Sequence, residues 1–169
     1  MRCANCGTEM ITTREDYRYV DAGLTAVVLR DVELRRCRSC GEEETVLRAI
    51  ESIHREIARR LVAKPGRLAP EEIRFLRKHL EYSGTELAAY MGVTPETVSR
   101  WENAAKDMGV VADRLIRLLV VQVEQIRDFP LEAMRQIEGG PAEPLRMEIG
   151  EAQPAGKLPR VADRLREAG

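Results

Sequence analysis

The 169-residue sequence lacks several features that would place it in a functional class at once. Only 4% of its residues are aromatic, and Lys+Arg (27) nearly balance Asp+Glu (28), so the overall charge predicts neither a nucleic-acid nor a membrane partner. No apolar run approaches the roughly 20 residues that span a bilayer. No apolar signal-peptide core follows the N-terminus. We therefore expect a cytoplasmic protein without a membrane partner.

The average charge hides an uneven distribution along the chain. Residues 1–47 carry 7 basic against 9 acidic side chains, a formal net charge of −2, whereas residues 48–82 carry 9 against 5. Apolar residues make up 44% of the chain, enough for one ordinary domain or two small ones. One segment of an otherwise neutral chain is thus basic.

All four cysteines fall in two C-x-x-C pairs, Cys3 with Cys6 and Cys37 with Cys40, each followed by glycine. In a reducing cytosol, such pairs are more often metal ligands than disulfides. Four thiolates complete a tetrahedral shell and leave no position for water, which predicts one structural zinc ion per chain. Rubredoxin-like iron, a redox dithiol and a disulfide remain as alternatives.

Periodicity predicts two different halves. Alternating and β-branched residues at 11–20 and 24–37 predict a hairpin that joins the cysteine pairs, and apolar residues from Thr45 to Leu61 recur at helical spacing. Residues 71–138 read as short helices. We expect an α+β zinc-binding domain at 1–63, a flexible linker at 64–70, an all-α helix-turn-helix domain at 71–138, and a Gly/Pro-rich tail at 139–169 with a short helix at 161–168.

The stretch SGTELAAYMGVTPETVSRWENA has the pattern of a helix-turn-helix. Gly92 provides the turn, Thr94 caps the next helix, and Val98 with Trp101 forms its buried face. The outer face of that helix would present DNA-binding residues to the major groove: Thr94, Pro95, Glu96, Thr97 and Arg100. Phosphate contacts are expected from the basic segment: Arg74, Arg77 and Lys78. The alternative is a small helical bundle with a solvated outer face.

Two histidines stand alone in the sequence, His54 and His79. With the metal shell already filled by cysteine, we expect both to be surface residues. An enzyme is not expected either, because the chain has no open metal position, no Cys–His–Asp set and no glycine-rich phosphate loop.

The stretch RKHLEYSGTELAAYMGVTPETVSRWENA resembles an Xre/Cro-type helix-turn-helix. Its combination with an N-terminal C-x-x-C, hairpin, C-x-x-C-G domain resembles the MqsA family of antitoxins, with their YgiT-type zinc finger. The resemblance implies a dimer that represses its own promoter and binds a toxin, typically an mRNA-cleaving ribonuclease, through the zinc domain. It also implies that the four cysteines are the zinc ligands and that Glu96 and Arg100 read bases.

Three residues depart from the family pattern. Gly84 stands where related motifs often place a Gln, Glu96 replaces an uncharged amide, and Ala104 replaces a common Gly. We expect the fold to survive these changes, but the operator sequence cannot be inferred.

The leading prediction is a sequence-specific repressor and type II antitoxin, and the alternative is a stand-alone zinc-containing transcription regulator. The helix at 110–126 carries two apolar stripes, and one of them predicts a homodimer that reads a palindromic double-stranded operator. Four thiolates around Zn²⁺ bring the charge of the zinc domain to about −4, which suits a basic toxin. We expect residues 1–63 to bind the toxin and residues 70–138 to bind the operator.

Overall fold

The computed structural model describes residues 1–137 and 142–150, so the helix expected at 161–168 lies outside the described residues. An N-terminal sheet precedes a set of helices. The elements are β1 Met10–Arg18, β2 Val27–Cys37, β3 Glu43–Val46, α1 Ile50–Ala63, α2 Pro70–His79, α3 Gly84–Met91, α4 Pro95–Glu102, α5 Val110–Val123, a 3₁₀ helix Leu131–Gln136 and β4 Met147–Ile149. In the part of the chain that the structure describes, no helix is long and apolar enough to cross a membrane.

β1 and β2 form the antiparallel hairpin that the sequence predicts. Four apolar residues of β2 are buried: Val27, Leu29, Val32 and Leu34. Strict alternation would turn the second pair to the other face. Between the pairs, however, β2 holds one residue more than the facing interval from Glu15 to Tyr17, and Asp31 has a left-handed φ of 57°. This bulge keeps all four side chains on the face that packs against the helices.

β3 and β4 both lie along the edge of β2 that β1 leaves free. β3 pairs antiparallel with residues 33–36, and β4 pairs parallel with residues 27–29. Two expectations were therefore wrong. The helix expected from Thr45 begins at Ile50, because residues 43–46 complete the sheet, and residues 142–150 of the expected tail include a strand with buried side chains.

The main hydrophobic core runs without interruption from the sheet to the last helix. It includes Leu29 of β2, Ile57 and Leu61 of α1, Leu76 of α2 and Ile116 of α5, and each of these is at most 2% exposed. Burial of such a side chain stabilises the fold by about 1.5–3 kcal/mol. α1 was assigned to the zinc domain, yet it packs on α2 and α5.

The segment expected to be a flexible linker, residues 64–70, is not exposed along its length. Lys64, Leu68 and Ala69 are all buried, and Pro70 is already the first residue of α2. The low apolar content and the prolines suggested mobility, but side chains from α2 and α5 hold this segment, as described below. Its local geometry is therefore fixed.

Candidate metal centre and recognition helix

Each C-x-x-C pair forms a tight turn closed by a backbone hydrogen bond. The Gly7 amide donates to the Cys3 carbonyl oxygen at 2.9 Å, and the Gly41 amide donates to that of Cys37 at 3.0 Å. Both glycines have a positive φ, 73° and 77°. This left-handed conformation costs little only for glycine, which explains the residue that follows each pair.

The hairpin brings the two turns together. The four sulfur atoms all lie within 4.8 Å of one another, with 3.6 Å between Sγ of Cys3 and Cys40 and 3.4 Å between Sγ of Cys6 and Cys37. A disulfide needs about 2.05 Å, whereas tetrahedral Zn–S bonds place sulfurs about 3.8 Å apart. These separations fit a tetrahedral thiolate site and exclude a disulfide within this geometry.

The electrostatics of the four sulfurs favour a bound cation. Hydrogen bonds with the Thr8 side chain and backbone, and then with neighbouring cysteines, lower the pKa of Cys6 to about 6. The backbone of Glu42 lowers the pKa of Cys40, but burial and the other sulfurs outweigh it and raise this pKa to about 11. One thiolate therefore forms readily and disfavours a second. A divalent cation removes that conflict by stabilising all four thiolates.

Capping residues bound α3 and α4, and of these Gly92 and Thr94 were expected from the sequence. Ser83 and Glu86 form a reciprocal capping box, with the Glu86 amide donating to Ser83 Oγ at 3.1 Å. Gly92 ends α3 with a left-handed φ of 65°, and Thr94 Oγ1 accepts from the Thr97 amide at 3.3 Å. The inner faces are buried: Val98 and Trp101 of α4, as expected, and Leu87 and Ala88 of α3.

The residues expected to face the major groove gather on the first turns of α4. Thr94, Pro95, Glu96 and Arg100 are exposed and Thr97 is half-buried. Hydrogen bonds from its own backbone and from Thr94 lower the pKa of Glu96, and the charge of Arg100 contributes to the same shift. At neutral pH this surface therefore presents a carboxylate one turn away from a guanidinium.

Two of the three expected phosphate contacts are engaged within the protein. Arg77 is 16% exposed, and its Nε donates to Glu102 Oε1 at 2.6 Å. Arg74 Nη2 donates to the Glu102 carbonyl oxygen and to Asn103 Oδ1. Both arginines thus fasten the end of α4 to α2. Lys78 is exposed, whereas Arg77 is positioned to orient α4, and its role as a phosphate contact stays a prediction.

A buried ion pair on α5 was not anticipated from the sequence. The side chains of Asp113 and Arg117 are each 1% exposed and 2.7 Å apart. The Arg117 guanidinium donates to the carbonyl oxygens of Val62, Lys64 and Gly66, and Asp113 Oδ2 accepts from the Leu68 amide at 2.7 Å. The spacing in the sequence could have indicated that this pair is buried, because Asp113 and Arg117 lie on the same stripe as Ile116 and Val120.

The two histidines are not surface residues, contrary to expectation. His54 Nε2 lies 2.8 Å from the Tyr19 hydroxyl oxygen, and His79 Nε2 lies 2.9 Å from Glu124 Oε1. The ring of Phe75 stands between them, 5.6 Å from His54 and 6.0 Å from His79 between centroids. These residues link the sheet, α1, α2 and α5 in a cluster in which Tyr19 and Phe75 are buried and the histidines half-buried.

The outer face of α5 remains apolar and accessible. Of the two apolar stripes expected on this helix, the one with Ile116 faces inward: Ile116 is buried, whereas Val111 is 80% and Leu118 is 37% exposed. Leu115, between them, is half-buried. The monomer therefore leaves the second stripe without full cover.

The chain was compared with known proteins and protein families. No curated protein matches it. The family described as "Antitoxin component of bacterial toxin-antitoxin system, MqsA" matches residues 1–128, a range that includes the four cysteines and all five helices from α1 to α5. Because this match spans well over half of the 169 residues, the chain belongs to the MqsA antitoxin family.

Proposed function

We propose that this protein is the antitoxin of a type II toxin-antitoxin system, which represses transcription through α4 and binds its toxin through the zinc-bearing part. The observation that carries the proposal is the family match over residues 1–128. That range contains both surfaces the function needs: the cysteine turns and the helix α4, on which Arg100 is exposed. We propose no enzymatic activity.

The metal of this function is one structural zinc ion per chain, held by Cys3, Cys6, Cys37 and Cys40. The sulfur separations of 3.4 and 3.6 Å support this assignment. Around the turns, the buried cluster comprises only Cys3, Met10 and Cys37. Such a small cluster gains most of its stability from a bound ion. Zinc would stabilise the turns and take no part in a reaction.

DNA recognition is assigned to the first turns of α4. The exposed Arg100 can donate in a bidentate manner to guanine O6 and N7, and Glu96 can accept from a cytosine amino group. Thr94, Pro95 and Thr97 would approach the DNA backbone and base edges near the start of the helix. Lys78 supplies a phosphate contact, and Arg74, 42% exposed, supplies a second one beside its internal hydrogen bonds.

A dimer completes the DNA-binding unit. The outer stripe of α5, with Val111, Leu115 and Leu118, supports pairing with the same stripe of a second chain. A two-fold axis there would place two copies of α4 on successive half-sites of a palindrome. The expected ligand is therefore a palindromic operator.

Charge supports a basic toxin as the second partner. Residues 1–47 carry a formal net charge of −2, and the four thiolates with Zn²⁺ lower it to about −4. A ribonuclease that binds RNA needs a basic surface, so electrostatic attraction would accelerate the encounter. Glu9 and Glu42 are exposed beside the cysteine turns and belong to the acidic surface that would contact the toxin.

The DNA part is tested by measuring operator binding at several salt concentrations. We expect Arg100→Ala to weaken specific binding by about 1–3 kcal/mol and to relax the preference at one base pair. Lys78→Ala should instead lower the salt dependence with little effect on preference. Arg59→Ala, at an exposed α1 position, is the matched control. Wild-type affinity and selectivity of Arg100→Ala would disprove the assignment.

The toxin part is tested in the full chain, because α1 shares its core with α2 and α5. The protein is co-expressed with the product of a small basic reading frame beside its gene, and growth and co-purification are measured. We expect Glu9→Lys with Glu42→Lys to weaken rescue, and Glu132→Lys, far along the chain, to leave it unchanged. Operator binding without any toxin binding would favour the stand-alone regulator.

A further inference from the structure

Residues 142–150, which we call the C-terminal strand segment, lie beyond the family match that ends at residue 128. They nevertheless contact both the sheet and the helices. The segment contains β4, and it lies between the sheet on one side and the helices on the other. It is thus a feature of this chain that the family match does not account for.

One side of the segment belongs to the sheet. Met147 and Ile149 stand opposite Val27 and Leu29 of β2 in parallel pairing, and they are 4% and 3% exposed. The Met147 amide donates to the Ala26 carbonyl oxygen at 2.9 Å. The segment therefore completes the edge of β2 that β3 leaves open.

The other side of the segment belongs to the helices. Glu72 of α2 is 1% exposed, and its Oε1 accepts from the Leu145 amide at 2.7 Å. Its other oxygen, Oε2, accepts from Lys64 Nζ at 2.6 Å and from the Ala69 amide at 2.7 Å. Lys64 Nζ also donates to the Glu143 carbonyl oxygen at 2.6 Å. One buried ion pair thus joins the segment to α2 and to residues 64–69.

The segment also reaches α1. Arg60 Nη1 donates to the Glu148 carbonyl oxygen at 2.8 Å. β4 thus lies beside α1. β2 meets the helices through side chains of the core. β4 adds a polar contact to the apolar contacts that join the sheet to α1.

We propose that the C-terminal strand segment is a latch that fixes the orientation of the zinc-bearing sheet relative to helices α1 to α5. With the latch docked, sheet and helices move as one body. With the latch released, Glu72 and Lys64 lose their partners on the segment and the sheet keeps only its side-chain contacts. Because β4 pairs through only three residues, its release is a local event that costs less than unfolding of the whole protein.

The consequence for function rests on the proposed function. A toxin bound to the sheet would be held in a single orientation relative to an operator bound to α4. Binding at one surface would then restrict or assist binding at the other. The latch itself can be tested without toxin or DNA, so its failure and the failure of the proposed function are distinguishable.

The test compares the full chain with truncated chains 1–150 and 1–141 and with Met147→Asp. Chain 1–150 keeps the latch and lacks only the residues after it. Glu148→Ala is the matched control for Met147→Asp, because the Glu148 side chain is 68% exposed. Residual dipolar couplings report whether sheet and helices share one alignment, and hydrogen exchange of the Ala69 amide reports the environment of Glu72.

We expect a single shared alignment in the full chain, in 1–150 and in Glu148→Ala. In 1–141 and in Met147→Asp we expect two distinct alignments, and exchange at Ala69 roughly tenfold faster. One alignment with unchanged Ala69 exchange in 1–141 would overturn the latch. Global unfolding of 1–141 beside an intact 1–150 would overturn it as well, because the segment would then support the fold and not the orientation.

Discussion

The cysteine turns at one end of the sheet and the junction around residues 64–70 are stabilised in different ways. The turns share a buried cluster of only three residues, Cys3, Met10 and Cys37, separate from the main core. The junction lies within that core and contains two buried ion pairs, Asp113–Arg117 and Lys64–Glu72. Both regions contain charged or ionisable groups. At the junction these groups are paired with opposite charges of the same chain, whereas the four cysteines of the turns are not.

The stability of the two regions therefore depends on different partners. At the turns, four like-charged thiolates repel one another unless a cation is bound, so stability there depends on an external partner. At the junction, each charge has its counter-charge and hydrogen bonds in place, so the cost of burial is offset internally. Perturbing the turns should therefore act through metal content, and perturbing the junction should act through unfolding.

The largest effect should follow removal of a cysteine ligand. We expect Cys37→Ser to abolish stoichiometric zinc and to make the turns sensitive to proteolysis, because much of an apparent zinc-binding energy of about 10–16 kcal/mol is lost. Metal analysis and limited proteolysis measure this. Ser39→Ala, within the same turn, should retain one zinc per chain. Equal protease resistance of Cys37→Ser and wild type would show that the turns do not depend on metal.

Substitutions at the junction should reduce the free energy of unfolding without any change in metal content. Arg117→Met leaves the Asp113 carboxylate buried without its counter-charge, and we expect it to reduce the free energy of unfolding by about 3–5 kcal/mol in urea titrations. The double variant Asp113→Asn with Arg117→Met should recover part of that loss. A reduction below about 1 kcal/mol for Arg117→Met would mean that water or other groups compensate the charge.

A smaller effect is expected from the backbone of the turns. Gly41 has a φ of 77°, and a Cβ added there would meet no atom within 4 Å. Gly41→Ala should therefore cost about 1–2 kcal/mol from backbone strain alone, without a steric clash. Gly84→Ala is the control, because Gly84 also has open space and lacks the positive φ. Comparable thermal unfolding of the two variants would contradict this explanation.

The local features of the cysteine turns and of helices α3 and α4 could be predicted from sequence. Cap residues and glycines set the bounds of α3 and α4, since Ser83, Gly92 and Thr94 each act on backbone atoms a few residues away. The cysteine pairs with their hairpin likewise predict the sulfur cluster. The prediction of a helix from Thr45 failed because residues 43–46 gain their conformation from pairing with β2, which no local pattern encodes.

The junction could not be predicted because its partners are distant in sequence. Lys64 and Glu72 meet a segment more than 70 residues away, and a polar segment with Pro65 and Gly66 resembles a free linker until those contacts are known. The same reason explains the error for His54 and His79. Single histidines carry no periodic signal, and their burial depends on how α1, α2 and α5 pack together.

The smallest expected effect concerns pH and belongs to the histidine cluster near the junction. Burial, and then the charge of His79, lower the pKa of His54 below its ordinary value of 6.5. The unfolded chain therefore takes up this proton at a higher pH than the folded protein. His54 contributes its full stabilisation above about pH 6.5, and that contribution declines as the pH falls through the lowered pKa.

The neighbouring Glu124 acts in a separate, more acidic window. Burial opposes its ionisation, but the hydrogen bond and charge of His79, with Arg55, lower its pKa below the ordinary value of 4.5.

Because the pKa of His54 is lowered, we expect urea unfolding to show a loss of stability between about pH 6.5 and 5.5 in wild type that is smaller in His54→Phe. Above about pH 7.5 the two pH profiles should run parallel. Equal slopes between about pH 6.5 and 5.5 would mean that the pKa of His54 is the same in the folded and unfolded protein, and the cluster would then contribute packing alone.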